Sequence, residues 1–296
     1  MTTYDFIASN KRKSALLIAI FGILVIVIGW LADQLFESGG TFLVLAVGYS
    51  IITAVVGFYS GDRLALSMSG AREVSEKDNP YLVRMVQNLC ITTGMPMPKI
   101  HIINDPAINA FATGRDPEHS SIAVTTGAIQ LLENEELEGV LAHELSHVRN
   151  YDIRIMMLVM VLAGTIVIIA DLVTRSFIWG GQRRRKDNGM ALIIGLILMI
   201  VAPLATQLIK LAISRRREYL ADASAALITR FPEGLARALQ KIQSQSQPMQ
   251  SASGATAHLF IANPFSGRLS ASLFSTHPPI ENRIAALRQM SGPTGM

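Results

Sequence analysis

The chain has little of what soluble enzymes and secreted scaffolds are usually built with. One cysteine, Cys90, occurs in 296 residues. No internal disulfide can form, and a zinc site made of cysteines is excluded. A lone thiol fits a soluble portion that faces a reducing compartment. Charged residues make up only 16% of the chain against 50% hydrophobic, and the mean hydropathy is +0.37. So few charges cannot coat an ordinary soluble domain, which implies membrane spans. Histidine is scarce too, with six in all, so two of them at ligand spacing carry weight. A clear small-residue cleavage site after the first apolar run is also missing, and a second run follows closely. The pair reads as an anchor rather than a removable signal peptide. There is no internal repeat.

What is present is distributed unevenly. The net charge of +4 and pI near 9.3 would suit nucleic acid, but the basic residues gather beside apolar runs, where lipid head groups and topology account for them. No nucleic-acid partner is expected. Lys11, Arg12 and Lys13 precede an apolar run from Ser14 to Leu31, and a second extends from Thr41 to Ser60. The loop between them holds Asp33 and Glu37 and no base. The positive-inside rule then puts the N-terminus in the cytosol and returns the chain there. From Gly61 the composition is that of a soluble domain. Asn79-Pro80 predicts a helix start and Gly94 its stop. Lys99–Ile103 and Ser121–Thr125 read as strands. Asn109–Thr113 lies between them, either as an edge strand able to pair with an extended peptide or as an interior strand.

Glu133 to Glu138 supplies an acidic first turn, which favours a helix N-terminus, and leads into Gly139-Val-Leu-Ala-His143-Glu144-Leu-Ser-His147. On a helix, His143 and His147 share a face one turn apart. Two imidazoles held that way grip a divalent metal, with zinc the usual occupant. Glu144 can reach a metal-bound water but not the metal, which makes it the candidate general base. The alternative is two satisfied histidines on a buried helix. A catalytic zinc needs a third protein ligand. His101 and His119 lack helical pairing, so Glu218 is the better candidate, with Asp222 one turn further on to hold a ligand imidazole by its other nitrogen. An ion pair with Arg215–Arg217 is the competing role for Glu218. Two further apolar runs, Ile155–Val173 and Met190–Ile213, separate His147 from Glu218. A hairpin of them brings both helices to one membrane face, whether it spans fully or is only partly inserted. The loop between those runs is rich in arginine (Arg175, Arg183, Arg184, Arg185), against the positive-inside trend if the hairpin spans. Arg217 opens an amphipathic helix, Gln243–Ala257 reads as a mobile loop, and Ile280–Met290 as a terminal helix.

The order of these features resembles the HtpX family of bacterial membrane-integrated zinc metalloproteases, and more distantly the membrane prenyl-protein proteases. The residues that carry the resemblance are the two N-terminal spans, Asn109-Ala110-Phe111-Ala112, the HELSH segment, the third and fourth runs, Glu218-x-x-x-Asp222, and Thr276-His277-Pro278. The resemblance implies an α-helical membrane protein carrying an α+β, zincin-like (gluzincin) protease domain on the cytosolic face of the inner membrane, with about four transmembrane or membrane-inserted helices. It implies the divisions 1–60 (first hairpin), 61–150 (first part of the protease domain), 151–213 (second hairpin) and 214–296 (second part). It also implies one Zn²⁺ per chain and removal of misfolded or damaged membrane proteins, with protein substrates and the lipid bilayer as partners. His277 is implied as the oxyanion donor, with Tyr219 as the alternative. Asn109 to Ala112 would align the substrate strand by main-chain hydrogen bonds. Two other functions fit parts of the pattern: a selective prenyl-protein-type peptidase, and a zinc-binding membrane module without hydrolysis.

Overall fold

The structure is a computed structural model that describes residues 3–179, 215–245, 247–265 and 278–290. Helices α1 (Thr3–Phe36) and α2 (Thr41–Met68) form the N-terminal hairpin. The Asp33 carboxylate accepts the backbone N–H groups of Phe42 and Leu43 at 3.2 Å each, satisfying donors at the start of α2 that have no partner within the helix. Ile7–Leu31 and Thr41–Met68 are long and apolar enough to cross a membrane, yet only 28% and 17% of their most apolar windows are buried. Leu16, Ile23 and Val27 on α1 and Val44, Leu45 and Ile52 on α2 point outward, as lipid-facing side chains do. These are the two candidate spans among the described residues. The third apolar run forms helix α6 (Asp152–Trp179), and the fourth run, Met190–Ile213, lies outside the described residues. The expected count of about four membrane helices is therefore not established.

The soluble part is a four-stranded mixed sheet covered by helices. Strands β1 (Ala71–Glu73), β2 (Lys99–Ile103), β3 (Ala110–Asp116) and β4 (His119–Thr125) are ordered β1-β2-β4-β3. β2 and β4 are parallel and the outer pairs antiparallel. Of the two roles open to the Asn109–Thr113 segment, the fold adopts the edge. Helix α3 (Pro80–Thr93) has the ends its sequence predicts: the Asn79 side chain accepts from Leu82 N–H at 3.0 Å, and Gly94 closes it at φ 66°. A short α4 (Thr126–Leu131) leads to α5 (Asn134–Arg149), which starts with a capping box between Glu133 and Glu136. After the undescribed stretch come α7 (Arg215–Thr229), α8 (Pro232–Ser244) and α9 (Ile280–Met290).

Strand alternation divides the buried side chains between two faces. Ala110, Ala112, Ile122 and Val124 join α3, α5 and α8 in the main core. Phe111 and Ala123 point the other way, against Ala65 of α2, Met156 and Met160 of α6, and Phe260. Helices α5 and α8 cross closely at Gly139, where an added Cβ would meet the Leu235 nitrogen at 2.8 Å. The Ser/Gln-rich stretch expected to be a mobile loop is tied down. Gln250 N–H, Ser251 N–H and Ser251 Oγ all reach one Asp105 oxygen, and Met249 and Thr256 are buried.

Candidate active site

Helix α5 is buried along nearly all its length, so it presents His143, Glu144 and His147 inside the protein rather than on a surface. Helix α7 packs across it and brings Glu218 to the same point. The ligand atoms of His143, His147 and Glu218 lie within 4.8 Å of one another. Glu218 Oε2 is 3.8 Å from His143 Nε2, and Oε1 is 3.6 Å from His147 Nε2. The outer nitrogens face carboxylates: His143 Nδ1 is 3.0 Å from Asp222 Oδ1, and His147 Nδ1 is 3.0 Å from Asp152 Oδ2.

Those contacts decide what the cluster can hold. A carboxylate on each Nδ1 makes both Nδ1 atoms donors, which turns both Nε2 lone pairs inward. The two Nε2 atoms are 3.2 Å apart. Two lone pairs facing each other at that distance, with a carboxylate beside them, require a cation. The donor set of two imidazoles and one carboxylate suits a divalent ion of the zinc type.

In the metal-free chain a proton takes that part. Burial pushes His143 down to about 4, against the pull of Asp222. Burial also opposes charge on His147, but the hydrogen bond to Asp152 and the charge of Glu218 hold it up at about 9. His147 thus keeps its proton below pH 9 and must lose it to bind a metal. Metal uptake at about pH 8 is expected to expel about one proton per chain, and apparent affinity to climb with pH until about 9. Calorimetry in two buffers of different ionisation heat measures this, and uptake without proton release would refute it.

Glu144 is buried beside the cluster, and burial raises its carboxyl to about 7, with His147 and the Ala112 backbone amide pulling the other way. Ala112 belongs to edge strand β3, which therefore runs beside Glu144. That strand is already engaged at its start: Ile261 N–H donates to Ala110 O at 2.9 Å, and the Asn109 amide donates to Ala262 O at 3.1 Å. Phe111 faces away and stacks edge-on with Phe260 at 5.0 Å. Tyr219 follows Glu218 on α7 and is half-buried. His277 lies outside the described residues.

Two residues close to the ligands escaped the sequence reading. Arg283 of α9 is fully buried and forms a two-pronged pair with Asp222, at 2.7 and 2.9 Å. It also comes within 3.8 Å of Glu218. Burial disfavours the Asp222 charge, but Arg283 overrides it and holds the carboxyl down at about 2. Asp152, the first residue of α6, holds His147 as described above. Its one sequence signal was an acid placed directly before an apolar run. Arg283 had none, because a base on an amphipathic helix reads as a solvated one.

Residues 76–291 match peptidase family M48. A protein named Protease HtpX homolog from Tropheryma whipplei (strain Twist) is 47% identical over 291 residues, covering 97% of this chain and 98% of that one. One of the same name from Dictyoglomus turgidum is 44% identical over 289 residues, covering 98% and 95%. The crystal structure of Ste24p from S. mikatae is similar in fold, with a TM-score of 0.54 at 18% identity, over 97% of this chain and 67% of that one.

Proposed function

The chain belongs to peptidase family M48 as an HtpX-type membrane-bound metalloprotease, and from that premise we propose that it is a zinc endopeptidase of membrane-protein quality control. In this reading it cleaves unfolded or damaged membrane proteins at the cytosolic face of the inner membrane. The basic Lys11–Lys13 cluster before the first span supports that orientation. The observation that carries the assignment is the convergence of His143, His147 and Glu218 with each imidazole braced from behind.

His143, His147 and Glu218 would hold the metal, and Asp222 would fix the His143 ring. A zinc ion held there would acidify water and polarise the scissile carbonyl. Glu144 takes a proton from the attacking water and returns it to the departing amine. Burial suits it to both steps, since a carboxyl raised toward neutrality gives up its proton as readily as it accepts one. Asn109, Ala110, Phe111 and Ala112 would guide the substrate strand, with the Ala110 carbonyl exchanging its bond from Ile261 for one from the substrate. That contact reads backbone rather than side chains, which suits broad cleavage better than a selective prenyl-protein peptidase. His277 would donate to the developing oxyanion.

Glu218→Ala tests the ligand set. Metal content of the purified chain should fall from about one ion to well below a tenth after dialysis, and casein cleavage should fall with it. Unchanged occupancy by elemental analysis would reject Glu218 as a ligand.

A further inference from the structure

Helix α1 does more than anchor the chain. Its buried face carries Asn10, Ser14, Leu17, Phe21 and Val25, at spacings of three and four. Leu17, Phe21 and Val25 pack against Ile155, Val159, Leu162 and Ile166 of α6, as in a helix-pair seam. At the end of the seam the polar Asn10 is only 2% exposed. Its amide nitrogen donates to Asp152 Oδ1 and to Asn150 O, both at 2.8 Å. Two acceptors on one side fix which way the amide points.

Those partners are not ordinary packing neighbours. Asn150 is the C-cap of α5, the helix that holds both histidines. The opposite oxygen of Asp152 holds His147 Nδ1. Between them Tyr151 adopts φ +60°, a strained value for a side chain of that size. Lys11 of α1 lies 4.5 Å over the Tyr151 ring, and Arg154 of α6 lies 5.0 Å from it. The corner between the histidine helix and α6 is therefore gripped from α1 at two consecutive residues. A buried polar side chain at the edge of an apolar span is costly unless it has a task. Here a task is at hand: the amide donates to one oxygen of Asp152, which Arg217 Nε also approaches at 3.6 Å, while the other oxygen holds His147.

We propose that Asn10 is a positioning residue of the metal centre, acting through Asp152 to orient the His147 ring from the first membrane helix. The proposal rests on the reading of His143, His147 and Glu218 as metal ligands. Partners that orient a ligating histidine typically change metal affinity ten- to a hundredfold when lost. Asn10 stands one bond further out, so the low end applies.

The test uses the full chain in detergent, zinc affinity read against a competing chelator, and thermal stability of stripped and reloaded protein. Asn10→Ala should weaken zinc binding about tenfold and shrink the stabilisation gained on reloading. Asn10→Asp, of equal volume, should weaken it further by setting a carboxylate against Asp152, and it serves if alanine opens too large a gap. Ser14→Ala, one turn along the same face, should keep the parent affinity. In an Asp152→Asn background, Asn10→Ala should add little. Parent-like affinity in Asn10→Ala and Asn10→Asp would overturn the proposal, even with lower stability in the stripped protein, since that pattern means Asn10 only sets helix register. Losses that simply add between Asn10 and Asp152 would overturn it as well. If His147→Ala binds zinc as tightly as the parent, the ligand assignment itself fails, which is a separate outcome.

Discussion

Glu144→Gln is expected to lower casein cleavage by roughly a thousandfold while zinc content stays at the parent level. The substitution keeps shape and removes the ability to take and return a proton. Nothing in the ligand set changes, because the nearest cation-binding atoms belong to His143, His147 and Glu218. The Ala112 amide that favours the carboxylate can equally face the carbonyl oxygen of the replacement side chain, so the edge strand should stay in place. Cleavage rate and metal content measured on the same preparation separate the possibilities. Retained cleavage would remove Glu144 from the proton-transfer role, and lost metal would recast it as part of the binding site.

The second large effect is on Arg283. This guanidinium compensates the buried Asp222 directly and, together with protonated His147, the buried Glu218. Removing one member of a buried ion pair leaves the others uncompensated and costs about 3–5 kcal/mol. Arg283→Ala should therefore lower the melting temperature of the metal-stripped protein by about 10 °C or more. Zinc should restore part of the loss, because a divalent cation supplies positive charge at the same carboxylates. Arg283→Lys keeps the charge but loses the two-pronged grip on Asp222 and should fall between. Equal melting temperatures for the stripped parent and Arg283→Ala would show that the carboxylates are neutralised in some other way.

These two residues show where sequence and structure part company. The place of Glu144 beside the histidines was legible because it follows from a spacing within one helix, and the shared face of Glu218 and Asp222 for the same reason. The ends of α3 were equally plain, since Asn79, Pro80 and Gly94 act through local backbone geometry. Arg283, Asp152 and Asn10 act across 61, 5 and 142 residues on Asp222, His147 and Asp152 respectively. Even the shortest of these crosses a helix corner whose direction depends on Tyr151 adopting a left-handed conformation, which a tyrosine does not advertise. The edge position of β3 was undecided for a related reason. A short apolar strand looks alike at the rim and in the middle of a sheet, and only the pairing of β2 with β4 put β3 on the outside. The Ser/Gln-rich stretch looked unstructured because the group that fixes it, Asp105, belongs to a different part of the chain.

The length of α1 carries one more consequence. Its apolar stretch beyond the Lys11–Lys13 cluster, residues 14–31, runs for 18 residues, about 27 Å at 1.5 Å per residue. That matches a hydrocarbon core of about 30 Å, with the three bases left at the level of the head groups. Asn10 lies just before those bases, on the part of the helix that leaves the lipid. If Asn10 steadies His147 as proposed, the anchoring of those bases at the head groups also sets the height of the histidine corner.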